Sequence, residues 1–402
     1  MSKEPILIGR PPLLRQTNAE LLLRLLRETG PCSKADLVRA SGLSAPTVTN
    51  VVAHLAAAGL VEAIGEGEST GGRPPDILRF RAERGCLTAA EIGPSSVALL
   101  VVDLEGRELA QARIPFTWES SSPKAICELI GREVRAVLRS LKKPPEHLLR
   151  VVVSVPAIVD MKAGVVASLS KLKDWSDVPL RAMLSRELKC PVDADNDTNL
   201  AARGEFARGA ARGEKNFVFI TIGEGVGAGI FVNGKIYRGA RWSAGEIGYL
   251  RVPNVSRENP TIHGYGRLEK ILGAPGILKS WRASARSSQS RLKVKHATDV
   301  FDLAAAGNAA AKRILRQKAG ILADVVLDLA LILNPGLILL GGEVGNHSGL
   351  LREVKGLLAG SEFGVISIKL GELGTAASLW GAVAAGLDSG IAGLLQPAKV
   401  AV

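Results

Sequence analysis

The chain of 402 residues has few cysteines, few aromatic residues and no long hydrophobic run. Its four cysteines stand far apart, so neither a zinc cluster nor a redox dithiol is indicated. Isolated thiols suit the reducing cytosol. The longest apolar run, residues 321–333, is interrupted by Asp324 and Asp328, which argues against a membrane span, and the first residues lack a secretory signal. We therefore predict a cytoplasmic protein.

Positive charge is in excess, with a formal net charge of +12, which favours polyanionic partners such as nucleic acid. The excess is not concentrated at the N-terminus, because residues 1–85 hold 11 Lys and Arg against 9 Asp and Glu. The 44 glycines, with aromatic residues at only 4%, predict an aliphatic core and many tight turns, as in α/β proteins. The length predicts two or three domains.

A helix-turn-helix pattern occupies the first 60 residues. Leucines recur at helical spacing over residues 18–28, and Asn18 is the predicted N-cap of this first helix. A short second helix is predicted over residues 33–41, with Asp36 placed to complete a capping box. After a glycine turn, a third helix is predicted over residues 45–58. A short helix, a turn and a longer helix are typical of a DNA-reading module.

The third helix has an apolar face, which predicts its packing, and a face of small polar residues. Ser and Thr reach bases or phosphates, and Asn pairs with adenine through two hydrogen bonds. No Lys or Arg lies between Arg39 and Arg73, so flanking residues must supply the attraction to phosphate. We predict DNA contacts from Lys34, Ser44, Thr47, Thr49, Asn50 and His54.

Two apolar segments, residues 60–64 and 77–80, flank a Gly-rich loop and predict a β-hairpin wing. Within that loop, Gly72 frees the backbone and Pro74 holds it extended, so Arg73 is predicted to enter a narrow minor groove. The alternative for the loop is a flexible linker. The alternative for the whole module is a generic three-helix bundle.

The remaining 320 residues alternate strands and helices in two halves. Two strands around a turn are predicted over residues 87–104, a helix over 122–142 and a further strand over 150–155. Residues 217–222 are a predicted strand that ends in a Gly-rich run. Hairpins with interleaved helices in two halves predict a duplicated α/β fold with a cleft between the halves.

The most informative stretch of this body is residues 220–248, ITIGEGVGAGIFVNGKIYRGARWSAGEIG. Together with ADNDTNLAARGE at 194–205, NPGLILLGGE at 334–343 and LWGAVAAG at 379–386, it resembles the ROK family of bacterial repressors, open reading frames and sugar kinases. The resemblance covers essentially the whole chain. It implies a winged helix-turn-helix followed by a two-lobed actin-like ATPase or sugar-kinase fold of the ribonuclease H-like kind.

The resemblance implies an effector site formed by Asn196, Asp197, Glu246, Tyr249 and Glu269. Asp197 stands at the position of the kinase base, which removes a proton from a sugar hydroxyl. Carboxylates and amides suit sugars, because sugar hydroxyls both donate and accept hydrogen bonds. The alternative is that the Asn-Asp pair only caps the helix that follows it.

Two departures from the family pattern argue against phosphoryl transfer. The family's Asp-Ile-Gly-Gly-Thr turn is EIGPS at residues 91–95, where Pro94 removes an amide donor and adds bulk. The second phosphate loop is GEG at residues 223–225, where Glu224 would repel phosphate. We therefore predict that the chain is not an enzyme and that it takes no cofactor.

A third departure concerns the structural zinc ion that the family usually holds. Its His ligand is replaced by Tyr249, and its cysteine run by PTIHGYGRL at residues 260–268, which leaves His263 alone. One histidine cannot form a tetrahedral zinc site, so no metal is predicted. Because the family's His also touches the sugar, Tyr249 leaves the identity of the effector open.

These features divide the chain into a winged helix-turn-helix with its linker at residues 1–82, a first lobe at 83–200 and a second lobe at 201–402. The C-terminal helix of the second lobe is expected to return to the first lobe. The resemblance to the family underlies the two lobes, and the boundaries follow the motifs described above.

The predicted function is that of a sequence-specific, DNA-binding transcriptional regulator, a repressor of carbohydrate-related genes. Its expected partners are a double-stranded DNA operator and a small sugar or sugar derivative, and the expected assembly is a homodimer or homotetramer without a membrane partner. Two alternatives stay open. One is an active ROK-type sugar kinase with a fused DNA-binding module, and the other is a ligand-independent DNA-binding regulator.

Overall fold

The computed structural model of the chain describes residues 11–67, 74–118, 121–168, 173–251, 264–287, 292–360 and 367–395. Within these ranges the helices are α1 (Pro11–Thr29), α2 (Lys34–Ser41), α3 (Ala45–Ala57), α4 (Pro123–Ser140), α5 (Leu180–Leu188), α6 (Asp197–Arg208), α7 (Arg267–Leu272), α8 (Ala274–Ser287), α9 (Ala297–Ala305), α10 (Ala309–Leu333), α11 (Gly342–Gly345), α12 (Ser348–Leu358) and α13 (Ala377–Leu394). The strands are β1 (Cys32–Ser33), β2 (Val61–Glu66), β3 (Asp76–Phe80), β4 (Cys86–Ile92), β5 (Ser96–Asp103), β6 (Glu108–Pro115), β7 (Leu148–Val155), β8 (Ile158–Asp160), β9 (Val165–Ser168), β10 (Val192–Asn196), β11 (Phe217–Ile222), β12 (Val226–Val232), β13 (Lys235–Ile236), β14 (Leu337–Gly341) and β15 (Ile368–Leu370).

The N-terminal module contains the three predicted helices. The capping box of α2 is confirmed, because the Ser33 hydroxyl accepts from the Asp36 amide and the Asp36 carboxylate accepts from the Ser33 amide. The predicted start of the first helix is wrong: α1 begins at Pro11, so Asn18 lies in its interior and caps nothing. Proline at a first helical position has the backbone angle that the helix needs, and the residues that follow it continue the helix.

The predicted wing is an antiparallel hairpin of β2 and β3, with a bulge beside Gly65. The short strand β1 pairs with the other edge of β3, an addition that the sequence did not indicate. The loop that holds Arg73 lies outside the described residues. The hairpin itself therefore matches the prediction.

The body repeats one sheet topology in two halves. In the described part of the chain, each half contains a five-stranded sheet, ordered β10-β7-β4-β5-β6 in the first and β15-β14-β11-β12-β13 in the second. In both sheets the first three strands in chain order pair antiparallel, and the last two add in parallel beside the first. This matched order is the structural counterpart of the predicted duplication.

Helices α6 and α13 form the layer between the two sheets. Residues of β4, β5 and β7 on one face of the first sheet pack against α13, while α4 and α5 cover the opposite face. The second sheet packs one face against α6 and the start of α13, and the other against α7 to α10 and α12. The central strands of each sheet are thus buried on both faces, as parallel pairing requires.

The backbones of α6 and α13 touch where they cross. A methyl group on Gly204 would overlap the carbonyl oxygen of Ala377, and one on Gly381 would overlap the carbonyl oxygen of Leu200. Nearby, the fully buried Glu205 accepts hydrogen bonds from three backbone amides, those of Ala210, Glu372 and Leu373. Close backbone contact therefore fixes the crossing, and the Glu205 carboxylate holds the segment that precedes α13 in place.

The N-terminal module is joined to the first lobe by packing and by hydrogen bonds. Its helix α1 contacts α13, and one continuous apolar cluster runs from Leu22 and Leu26 to Leu387 and Ile391. The amide of Leu104 donates to the carbonyl of Ala82 at 3.2 Å. None of the described helices is long and apolar enough to cross a membrane.

The crossing yields a test with a matched control on the same helix. The substitution Gly381→Ala should lower the free energy of unfolding by about 3 kcal/mol or more, because the methyl group meets backbone that cannot move aside. Gly393→Ala places the same methyl in open space and should change stability by less than about 1 kcal/mol, in the stabilising direction. Urea denaturation measures both values, and equal effects would contradict the role of the crossing.

Candidate functional site

The N-terminus of α6 lies where the first lobe meets the second, and Asn196 caps it. The Asn196 side-chain oxygen accepts from the Asn199 amide at 3.0 Å, and its Nδ2 donates to the Ala157 carbonyl at 3.1 Å. The capping alternative therefore describes what Asn196 does in the structure. Contact between Asn196 and a ligand stays a prediction.

Asp197 is the first residue of α6 and has one carboxylate oxygen engaged. Its Oδ1 accepts from the amide of Thr198 at 2.7 Å and from the Thr198 hydroxyl at 3.2 Å. Its Oδ2 has no hydrogen-bond partner among the described residues. Burial, with a further contribution from Glu91, raises the pKa of Asp197 to about 6. One oxygen of this carboxylate is thus held in place and the other is available.

Glu246 follows a glycine that holds the loop after β13 against β12. Gly245 has a φ of +90°, its carbonyl accepts from the Ala228 amide at 2.8 Å, and a methyl there would overlap the Ala228 carbonyl. The Glu246 carboxylate has no hydrogen bond within the described residues. Burial, then the charges of Asp197 and Glu269, raise its pKa to about 7. Glu246 is therefore near enough to the other two carboxylates of the predicted site for their charges to act on it.

Glu269 is positioned by the capping box of α7. Its Oε2 accepts from the Gly266 amide at 3.1 Å, and its Oε1 lies 2.6 Å from where a Cβ of Gly225 would stand. A glycine at position 225 consequently leaves room for this carboxylate. The Gly-rich loop and Glu269 are in direct contact, which their separation in sequence did not indicate.

Glu91 joins this group, although it was not predicted as an effector contact. The Ser378 hydroxyl of α13 donates to its Oε1 at 2.6 Å, and burial raises its pKa above the usual value. Glu91 also contributes to the raised pKa of Asp197. One feature of the sequence indicated a role for Glu91, which is that it occupies the Asp position of the family's first phosphate turn. We call Glu91, Asp197, Glu246 and Glu269 the carboxylate cluster.

The carboxylate cluster can accept hydrogen bonds from several hydroxyl groups at once. All four side chains are partly buried rather than sealed in the core, so each keeps some exposed surface. Because they repel one another when ionised, a ligand that donates hydrogen bonds to them offsets the cost of their charge. The arrangement suits a polyhydroxylated molecule.

Tyr249 lies at the edge of the predicted site. Its hydroxyl donates to the Gly264 carbonyl at 3.1 Å, which ties the turn after Glu246 to the segment before α7. His263 lies outside the described residues. The structure thus gives the Tyr249 hydroxyl a backbone partner, while its contact with an effector stays a prediction.

The two turns at the phosphate positions are closed by their own backbone. The Gly93 amide donates to the Ser96 carbonyl at 2.9 Å, with Pro94 exposed at the tip. In the second loop the Gly223 amide donates to the Gly225 carbonyl at 2.9 Å, and Glu224 is exposed. These two amides are therefore occupied within their turns.

The exposed face of α3 carries most of the predicted DNA contacts. Its buried face consists of Val48, Val51, Val52 and Leu55. Thr49, Asn50 and His54 are exposed, and Lys34 is half-exposed at the start of α2. Ser44 caps α3 and its hydroxyl lies 2.8 Å from that of Thr47, so these two also have a structural role. Arg73, the remaining predicted contact, lies outside the described residues.

Comparison with known proteins identifies two regions. The sequence profile of the ROK family matches residues 87–387, and that of the MarR family matches residues 17–73. The xylose repressor of Bacillus subtilis is 27% identical over 304 residues, which cover 75% of this chain and 78% of that protein. The glucokinase of Halalkalibacterium halodurans is 31% identical over 274 residues, covering 66% of this chain and 82% of that protein.

A solved structure matches nearly the whole chain. It is a ROK family transcriptional regulator described as a homolog of the Escherichia coli MLC protein, with a TM-score of 0.80 at 21% identity. The match covers 95% of this chain and 98% of that one. At this identity the likeness concerns the fold. The predicted fold class, a winged helix-turn-helix followed by an actin-like sugar-kinase fold, is confirmed.

The carboxylate cluster predicts a pH-dependent stability. The raised pKa values of Asp197 and Glu246 mean that the folded state binds protons more tightly than the unfolded state, so stability falls as pH rises from about 4 to about 7. Glu246→Gln should therefore stabilise the fold by on the order of 1 kcal/mol at pH 8 and by little at pH 4. Glu108→Gln, at an exposed position of β6, is the control. Thermal unfolding across this range measures the difference, and a pH-independent gap would contradict the repulsion.

Proposed function

The chain belongs to the ROK family, and we propose that within this family it is a sequence-specific DNA-binding repressor of carbohydrate-related genes. It acts in the cytoplasm on a double-stranded operator. A small sugar or sugar derivative, bound at the carboxylate cluster, regulates that activity. The likeness to the xylose repressor of B. subtilis makes xylose the first sugar to test.

The observation that carries the proposal is the exposed polar face of α3 in a winged helix-turn-helix. The helices α2 and α3 are both capped. Asn50 and His54 are exposed on one side of α3, and a row of valines is buried on the other. A generic three-helix bundle has no need of a wing, yet β2 and β3 form one beside α3. An assembly of two or four copies would present pairs of such modules to a palindromic operator.

The packing provides a route from the effector to the DNA module. Asp197 begins α6, α6 crosses α13 in backbone contact, and α13 touches α1. A ligand that bridges Asp197 and Glu246 draws the two lobes together, because these residues belong to different halves of the body. The crossing transmits this movement to α1, which shifts the DNA modules relative to one another.

Two features support a regulator rather than a kinase. Pro94 stands where the family's kinases place a glycine with a free amide, and the Gly93 amide is already bonded inside its turn. Glu224 puts a negative charge at the tip of the second phosphate loop. Both features weaken the binding of ATP phosphates, because phosphate-binding sites depend on backbone amides and positive charge.

The primary test is a gel shift with the DNA upstream of the chain's own operon at physiological salt. Asn50→Ala should weaken binding by about ten- to a hundred-fold, which corresponds to the loss of a paired contact with a base. Gln111→Ala, an exposed amide on β6 of the first lobe, should leave the affinity unchanged. A wild-type protein that shows no sequence-specific shift would contradict the proposal.

A second test separates the regulator from its alternatives. Thermal-shift assays with xylose, glucose, N-acetylglucosamine and N-acetylmannosamine should reveal a sugar that raises the melting temperature, since a ligand of the folded state stabilises it. Asp197→Asn should reduce that shift. Phosphorylation of the same sugars with ATP would support the kinase alternative instead. A specific gel shift with no response to any sugar would favour the ligand-independent regulator.

A further inference from the structure

A cavity of about 730 Å³ lies where the DNA module, both lobes and the layer between them meet. Arg27 of α1 enters it from the DNA module, Arg203 and Arg208 from α6, Asp388 from α13, and Lys235 from the β12–β13 hairpin. The cavity is separate from the carboxylate cluster, which lies at the other end of α6. Nothing in the proposed function uses it.

Two of the positive charges that line the cavity are neutralised within the fold. Arg203 forms an ion pair with Asp388, and Arg238 forms one with the buried Asp195. The remaining lining carboxylate, Glu105, is paired with Arg107. The carboxylates of the cavity are therefore already occupied by arginines.

Three further cations line the cavity without a carboxylate partner in the described part of the chain. Lys235 is exposed, and it forms no ion pair with any of the described residues. Arg208 is held by the Gly106 carbonyl at 2.7 Å and by the face of the Trp380 ring at 4.0 Å. The Nε of Arg27 is buried and has no hydrogen-bond partner, and burial lowers the pKa of its guanidinium. The carboxylates of Asp388 and Glu105 act on Arg27 without forming an ion pair with it, so a partly desolvated guanidinium whose Nε has no hydrogen-bond partner gains from an anion bound beside it.

Part of the lining is apolar. Phe206, Phe231, Val383 and Leu387 border the same cavity. The volume is within the range typical of pockets for small molecules, and it exceeds what a single inorganic anion fills. The lining thus combines cationic side chains with a set of apolar side chains, which we call the apolar wall.

We propose that this junction cavity binds a small phosphorylated metabolite, with Arg27, Arg208 and Lys235 contacting the phosphate and the apolar wall contacting the organic part. Guanidinium groups match phosphate oxygens in charge and in planar geometry. The bound molecule joins α1 of the DNA module to α6 and to the second lobe. Binding does not rest on the proposed function, whereas its effect on DNA affinity does.

The DNA backbone is a less suitable occupant of this cavity. Helix α3 buries one face toward α1 and exposes the opposite face, whereas Arg27 leaves α1 toward α13. Helix α1 therefore separates the cavity from the DNA-reading surface. A duplex bound at α3 does not reach these cations, while a small molecule does.

Isothermal titration calorimetry on the full chain at low ionic strength tests the proposal with glucose 6-phosphate and pyrophosphate as probes and glucose as the unphosphorylated control. Arg27→Met removes the charge and keeps the apolar stem, and it should weaken binding of the phosphorylated probe by about ten-fold or more. Lys235→Met, at an exposed position that folding does not depend on, should weaken it as well. Arg24→Met, an exposed arginine on the same helix, should have no effect.

The outcomes distinguish binding in the junction cavity from binding at the carboxylate cluster. Loss of phosphate-dependent binding in Arg27→Met and Lys235→Met, with retention in Glu246→Gln, supports the junction cavity. Should Arg27→Met fail to fold, Lys235→Met gives the same comparison. Binding that is lost in Glu246→Gln and kept in the other two variants would place the probe at the carboxylate cluster and overturn the proposal.

Three other results would also overturn it. These are an absence of saturable binding of both phosphorylated probes, equal affinity for glucose and glucose 6-phosphate, and an Arg27→Met variant whose only defect is weaker DNA binding without any probe. None of them bears on whether the wild-type chain recognises its operator, which the gel shift measures independently.

Discussion

The backbone contact between α6 and α13 is the constraint on which the rest of the molecule depends. Two glycines permit it, and any larger side chain there would push the helices apart. Each helix serves both sheets, since α6 begins at the first and packs on the second, and α13 does the reverse. The lobes therefore share their central layer, and a shift of α6 or α13 at one sheet is transmitted to the other sheet.

Helix α6 of this layer separates a negatively charged site from a positively charged one. The carboxylate cluster lies at the start of α6, where the lobes open, and the cations of the junction cavity lie near its end, beside the DNA module. The helix dipole favours this placement, with carboxylates at the N-terminus of α6 and cations near its C-terminus, but the four carboxylates repel one another. Such an arrangement costs stability in the empty protein, and ligands that supply the missing hydrogen bonds or charge recover it.

Much of this could be predicted from the sequence, because glycines and capping residues mark their own positions. Ser33 with Asp36 fixed α2, and the run from 217 to 222 appeared as the strand observed. The start of α1 was missed because Asn18 looks like a cap although the helix continues on both sides of it. The contact between Glu91 and Ser378 and the junction cavity could not be predicted, for a different reason. Glu91 meets Ser378 across 287 residues, and no local pattern reports a contact of that range.

The long-range packing of α13 against the first sheet also determines when the first lobe can fold during translation. The first sheet has strands from residue 86 onward, yet one of its faces is covered by α13, which begins at Ala377. Until that helix emerges, a nascent chain carries a complete DNA module attached to a lobe with an uncovered apolar face, a surface that chaperones bind. The first lobe is therefore completed only after α13 has been translated, and chains truncated before Ala377 would be recognised as unfolded rather than act as unregulated repressors.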